Sequence, residues 1–137
     1  MQRSVSILLP VYNAESTLSD TVTDVLEVAS DLSNCFELVI IDDGSADATS
    51  EVIDDLIHSY PQIRAVRHGE HLGPEAAIRT GLKHSTAEVI LLRDTAHRQA
   101  KPGYQMFRRR VLERIHGSGR PGRPNYLARL KQPARSE

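Results

Sequence analysis

Val39-Ile40-Ile41-Asp42-Asp43-Gly44-Ser45 is an apolar run that stops on two adjacent carboxylates and a glycine. Buried-type residues followed by Asp-Asp-Gly-Ser read as a core strand ending in a tight turn, with Ser45 or Asp47 capping the helix that follows. In open α/β sheets ligands sit beyond the carboxyl ends of the strands. A carboxylate held there can accept hydrogen bonds from a base or a sugar hydroxyl. The same residues also suit a solvated turn with a helix cap, so the flanking sequence has to decide between the two.

Upstream, Val5 to Pro10 reads as a first strand, and Thr17 with Asp20 three residues on as a capping-box helix start. Leu18, Val22, Val25, Leu26, Ala29 and Leu32 then recur at helical spacing, and Phe36 to Ile41 is the second strand. Downstream, Val52, Ile53, Leu56, Ile57 and Tyr60 give a second helical stripe that Pro61 closes, and Ile63 to Val66 is a short third strand. Gly73-Pro74 places a proline at the first position of a third helix. Within it Gly81 costs about 1 kcal/mol against alanine, which points to a close approach of helix to sheet. Val89 to Leu92 is a fourth strand ending on Arg93-Asp94.

Strands alternating with helices of this length predict an α/β fold: a Rossmann-like, mainly parallel sheet of about four strands with helices on both faces. Every strand tip then lies on one edge. Pro10-Val11-Tyr12, Asp42-Asp43, His68 and Arg93-Asp94 converge there although they are far apart in sequence.

The 137 residues fit one small domain, 39% apolar and 26% charged. Only 4% are aromatic, which argues against a stacking platform for single-stranded nucleic acid, and no nucleic-acid partner is expected. The lone Cys35 offers neither a disulfide nor a metal cluster and fits a reducing cytoplasm. Val5 to Val11 is too short to span a bilayer and reads as a strand, not a signal. Charge divides the chain in two: residues 1–92 carry a net −10 and residues 93–137 a net +9. A basic segment after an acidic body is either a docking tail for polyanions or a segment that folds back on its own body.

Three ordered stretches, Val5-Ser-Ile-Leu-Leu-Pro-Val-Tyr-Asn13, Val39-Ile-Ile-Asp-Asp-Gly-Ser-Ala-Asp47 and Gly73-Pro-Glu-Ala-Ala-Ile-Arg-Thr-Gly-Leu82, resemble the successive motifs of family 2 glycosyltransferases with the GT-A fold. The third is most similar to the branch that makes polyprenyl-phosphate sugars. The resemblance covers about residues 3–97 and implies a site for a UDP- or GDP-sugar in the N-terminal half of a transferase. By that resemblance Asp43, beside Asp42, accepts from the base. Pro10, Val11 and Tyr12 line the nucleoside, with Glu15 near it. Gly73 and Arg79 shape the diphosphate side, although Arg79 equally suits a solvated helix face paired with Glu75.

The chain departs from the family in four places. Where the family carries Asp-x-Asp for a divalent cation (Mn or Mg), this chain reads Asp94-Thr95-Ala96, which removes a charge and a ligand together. Asp94 alone remains for the metal. His71 stands where the family usually has Asn, and Arg93 where it usually has an apolar residue. Arg93 either grips diphosphate oxygens in place of the metal, helped by His97 and Arg98, or pairs with a nearby carboxylate.

Only about forty residues, basic on balance and rich in Pro and Gly, remain where the family places its acceptor half and catalytic carboxylate, and no catalytic residue is assigned. Glu113 reads as an exposed helix position. The expected division is a nucleotide-binding domain over 1–97 and a basic tail over 98–137. Tyr104, Phe107, Val111 and Ile115 predict one amphipathic helix in that tail, and the turn-rich stretch from Gly117 to Pro124 a disordered end. The helix either covers an open part of the sheet or touches a membrane surface. Three classes of function stay open: a transferase completed by a protein partner that supplies the acceptor half, a catalytically inactive nucleotide-binding module, and an interaction protein without ligand.

Overall fold

The computed structural model describes residues 4–94 and 103–116. Five strands and four helices alternate as β1 (Val5–Val11), α1 (Leu18–Leu32), β2 (Phe36–Asp42), α2 (Thr49–Ser59), β3 (Ile63–Arg67), α3 (Pro74–Lys83), β4 (Val89–Asp94), β5 (Gly103–Arg108) and α4 (Arg109–His116). The sheet order is β3-β2-β1-β4-β5. The first four strands are parallel, and β5 runs antiparallel to β4.

Parallel strands buried on both faces need near-continuous apolar runs, and residues 7–9 of β1, 38–41 of β2 and 89–92 of β4 supply them. Ile7, Leu9, Leu38, Ile40 and Leu91 face α1 and α2, where Val22, Val25, Ala29 and Ile53 pack. Leu8, Val39, Ile41, Ile90 and Leu92 face α3 and α4, where Ala77, Ile78, Leu82 and Leu112 pack. A Cβ built on Gly81 would stand 3.0 Å from Ile41 Cδ1 and 3.1 Å from both Leu8 methyls. The helix-to-sheet approach expected at this glycine is therefore present. Pro74 is the first residue of α3, also as expected.

The segment after β4 differs from the expected single helix. Tyr104 and Phe107 belong to β5, and the helix begins only at Arg109. Tyr-Gln-Met-Phe is a β-favouring run, and the open edge of β4 offers unpaired backbone groups that a strand satisfies and a helix does not. The sheet thus has a fifth strand beyond the four expected. In α4 the buried residue is Leu112, while Val111, which the expected stripe included, is exposed. Glu113 is exposed as expected, 3.7 Å from Arg109.

Arg109 is not on a solvated face. Its guanidinium donates to the carbonyls of Ala87 (2.8 Å) and Leu82 (2.9 Å) and to Ser85 Oγ (2.8 Å), closing the C-terminal end of α3.

Thr17 is the N-cap of α1, yet no side chain caps that helix, so the expected capping box does not form. The N-cap of α2 is Ala48, not Ser45 or Asp47, and no side chain caps that helix; Asp47, just before it, takes the Thr49 N–H on its Oδ1 at 2.9 Å. The Thr49 hydroxyl and this N–H hold its carboxyl below the ordinary range.

Candidate functional site

The tips of β1 and β2 are tied together by the loops that follow them. Asn13, at a φ of +51°, donates its N–H to Ser45 Oγ (2.8 Å) and accepts the Ala46 N–H on its Oδ1 (2.8 Å). Ala14 N–H donates to Thr49 Oγ1 at 2.8 Å. Glu15 exchanges two bonds of 3.3 Å with the start of α2, its N–H to Asp47 Oδ2 and its Oε1 from the Ala48 N–H. Short polar side chains at strand ends here replace a ladder that can no longer continue.

Asp42 and Asp43 point to opposite faces, as consecutive strand residues do. Asp42, 1% exposed, takes the Ser45 N–H on Oδ1 at 3.0 Å, and its Oδ2 lies 3.8 Å from Arg67 Nε. It shapes the turn.

Asp43, 4% exposed, anchors the loop between β3 and α3. Its Oδ1 accepts from His68 Nδ1 (2.7 Å) and from the Leu72 N–H (2.9 Å). Its Oδ2 accepts the Gly73 N–H (2.9 Å) and lies 3.0 Å from His71 Nδ1. Burial alone raises this carboxyl's pKa, but the His68 bond, the two backbone N–H groups and the charge of His71 together hold it below the ordinary 3.8. An ionised carboxylate only accepts, so Nδ1 of His68 carries the proton. The other ring nitrogen of His68 lies 2.7 Å from Thr80 Oγ1, which links the hub to α3.

Gly44 lets the loop settle on the turn. At a φ of +74° it brings its own Cα so close that a Cβ would lie 2.4 Å from the Glu70 carbonyl carbon.

His71 spans the mouth of the site. Its ring lies against Tyr12, centroids 4.1 Å apart and planes tilted by 39°, and Nδ1 sits between Asp43 Oδ2 and the Asp43 carbonyl oxygen (3.3 Å). Tyr12 itself is 47% exposed.

Beside Tyr12 a cleft of ≈250 Å³ opens between the end of β1, the start of α1 and Arg93 of β4. The strand order reverses between β1 and β4, since β1 is followed by β2 on one side and has β4 on the other. That is the switch point at which open α/β sheets hold ligands.

Of the residues singled out from sequence, Pro10, Val11, Tyr12 and Arg93 line this cleft. Asp43 and Gly73 join one another on the α3 side, and Glu15 bonds the start of α2 at the edge. Arg79 is exposed on α3 without an ion pair to Glu75 among the described residues. Asp94 ends β4, its backbone paired with Gly103. His97 and Arg98 lie outside the described residues.

Asn13, His68 and Thr80 carry structural roles that the sequence reading did not assign. The available signal was His68 itself, a titratable residue one position past a strand that ends level with Asp42.

The donor set for a divalent cation is thin. Asp94 stands where two carboxylates would be needed, with Ala96 at the second position, and no group of three His, Cys, Asp or Glu among the described residues is placed to hold a metal ion. Asp94 leaves one carboxylate for a hard cation, whose remaining ligands would be water and phosphate oxygens.

A dolichyl-phosphate beta-glucosyltransferase of Trichomonas vaginalis is 33% identical to this chain over 95 residues, 66% of the chain and 29% of that protein. An undecaprenyl-phosphate 4-deoxy-4-formamido-L-arabinose transferase of Edwardsiella ictaluri is 26% identical over 91 residues, 66% of the chain and 28% of that protein. The chain therefore spans under a third of the length of these relatives.

Among solved structures, the mannosyltransferase PcManGT of Pyrobaculum calidifontis, in complex with GDP-Man and Mn2+, superposes with a TM-score of 0.58 at 23% identity, covering 66% of this chain and 27% of that one. TarS of S. aureus in complex with UDP-GlcNAc gives 0.51 at 22% identity, covering 67% and 26%. Both share the fold. With residues 6–104 matching the profile of Glycosyl transferase family 2 over the sheet that carries all of these tips, the chain belongs to that family.

Proposed function

We propose that the chain binds a nucleoside-diphosphate sugar across the tips of β1, β2 and β4 and presents it for glycosyl transfer. The observation that carries this reading is the His71 imidazole. A flat nitrogen ring already rests on Tyr12 with a ring nitrogen 3.0 Å from Asp43 Oδ2. A pyrimidine or purine base offers the same two features, a π-face and an in-plane N–H, and takes this place once His71 swings into solvent. Pro10 and Val11 then border the nucleoside.

The transfer itself is displacement of the nucleoside diphosphate from the anomeric carbon by an acceptor oxygen. Polyprenyl phosphate is the acceptor class we favour, because relatives named for dolichyl and undecaprenyl phosphates match 95 and 91 residues. The acceptor-binding part falls to residues beyond those described, in this chain or in a partner, and a phosphate acceptor attacks as its anion, with no proton to remove. Membrane contact falls to the basic segment. No helix among the described residues is long and apolar enough to cross a membrane. A second reading, nucleotide binding without turnover, draws on Ala96 at the place of the second metal carboxylate.

Calorimetric titration with uridine and guanosine diphosphates tests the site. One of them binds the native chain, and His71→Ala binds it about tenfold tighter, since the ligand no longer displaces a ring contact and a half-exposed bond worth together about 1.4 kcal/mol. Absence of binding to both proteins rules the reading out. Tighter binding by the native chain than by His71→Ala would show that His71 belongs to the bound site and does not occupy the base position.

A further inference from the structure

Arg93 is the one site residue whose chemistry is left over once the turn, the hub and the sheet have been described. It is 7% exposed, on the α1 face of β4, with its guanidinium carbon 5.0 Å from the centroid of the Tyr104 ring. Its Nε has no hydrogen-bond partner, and neither has the buried Tyr104 hydroxyl behind it. No carboxylate among the described residues forms an ion pair with it. A guanidinium cannot shed its proton, so this charge is held out of water with only an aromatic face against it.

The same cleft receives the start of α1, a 15-residue helix that no side chain caps. The Leu18 N–H at that start donates to the Ala14 carbonyl at 2.9 Å, so the cleft meets the flank of the helix at Thr17, Leu18 and Thr21, and its positive charge comes from Arg93. Asp20 is also in that turn, but it is exposed and does not line the cleft. Thr17 and Thr21, whose side chains are short and polar, complete the wall. The charge of Arg93 therefore faces a space of ≈250 Å³ at the switch point of the sheet.

We propose that Arg93, in the cleft beside the flank of α1, forms an anion subsite that takes the phosphates of the nucleoside diphosphate without a divalent cation. This rests on the nucleotide reading above and deepens it, placing the phosphates on the α1 face of β4. The fork of the guanidinium grips two phosphate oxygens, and Tyr104 fixes the plane of the fork from behind.

The test uses the full chain in chelator, with calorimetric titration of uridine, guanosine, their diphosphates and inorganic pyrophosphate. The expected result is a diphosphate that binds at least tenfold tighter than its nucleoside, together with measurable pyrophosphate binding. In Arg93→Gln the diphosphate advantage disappears while nucleoside affinity stays as it was, and in Arg93→Lys part of it returns, because charge is kept and the fork is lost. Thermal unfolding of each variant establishes that it is folded. Should Arg93→Gln fail to fold, the Lys variant and the salt dependence of pyrophosphate binding to the native chain carry the test.

Equal affinities for nucleoside and diphosphate in chelator, or a diphosphate that binds only when Mn²⁺ is restored, would overturn the subsite and leave the nucleotide reading standing. Pyrophosphate binding that Arg93→Gln abolishes, with no nucleoside or nucleotide bound under any condition, would support the subsite and sink the nucleotide reading. No binding of any of the five ligands sinks both.

Discussion

Replacing Asp43 by asparagine changes two atoms' worth of chemistry at the centre of the site and should cost about 3 kcal/mol of folding stability. The carboxylate accepts from His68 Nδ1, Leu72 N–H and Gly73 N–H at 2.7, 2.9 and 2.9 Å. All three donors converge on a residue that is 4% exposed, so water cannot replace a lost bond. Asparagine keeps one oxygen. If that oxygen stays with His68 and Leu72, its amide nitrogen faces the Gly73 N–H, donor against donor. The loss is then one charge-assisted bond, about 1.5–3 kcal/mol, and the two remaining bonds weaken from charged to neutral. A flipped amide strands two donors and is worse. For a chain of this size each kcal/mol moves the melting temperature by roughly 3–4 °C, which gives a fall of about 10 °C.

Urea unfolding followed by circular dichroism reads the same quantity as a lower midpoint at unchanged slope. A cost under about 0.5 kcal/mol would refute the placing of Asp43 as the anchor of loop 68–73. The same hub is why loss of nucleotide affinity in an Asp43 variant counts as evidence on base binding only beside a measured stability.

Gly44→Ala should be destabilising by about 3 kcal/mol, because its Cβ would meet the Glu70 carbonyl carbon at 2.4 Å and the His71 nitrogen at 2.6 Å, backbone that cannot rotate away, at a φ of +74°. A melting temperature within 2 °C of the native chain, by the same roughly 3–4 °C per kcal/mol, would mean the loop is not seated on that turn. The acid limb of stability should follow two carboxyls. Burial raises the pKa of Glu37, but the Ser6 hydroxyl, the Thr86 N–H and Arg64 hold it below its ordinary 4.5, and Asp43 is held below 3.8. The unfolded chain therefore takes up these protons first. Their contribution is complete above about pH 5 and is lost as the pH falls through 4.5 and 3.8 towards the folded values, so Glu37→Gln should flatten a profile of unfolding midpoint against pH in that window. An unchanged slope in the variant would contradict the Glu37 network.

The sheet could be read from the chain because its determinants are local. Unbroken apolar runs at Ile7 to Leu9 and Val39 to Ile41 require burial on both faces, and Pro61 and Pro74 stop and start helices by their own covalent geometry. The strand tips could be grouped for the same reason, since parallel topology sends every carboxyl end to one edge. The segment from Tyr104 to Ile115 failed this test because Tyr104, Phe107, Val111 and Ile115 satisfy a helical period over residues that are half strand. What decides is the free edge of β4, which no window of sequence contains. The partners of Asp43 were hidden likewise: Leu72 and Gly73 contribute backbone N–H groups, which carry no mark in a sequence, and His68 reaches the carboxylate only after β3 has docked beside β2.

Parity explains the two arginines that matter most. Val89, Leu91 and Arg93 share one face of β4, so an arginine at that place is carried under α1 with the apolar residues ahead of it, and its charge must be met inside the cleft. Arg109 follows the last residue of β5 and is turned instead onto the end of α3, where three acceptors meet it. Among the described residues, Arg93 and Arg109 thus do not share one surface. Arg109 has its acceptors within the chain, whereas Arg93 has an aromatic ring behind it and open space in front. Of these two, only Arg93 has a charge left to offer a ligand, and it sits at the crevice that the reversal of strand order makes between β1 and β4.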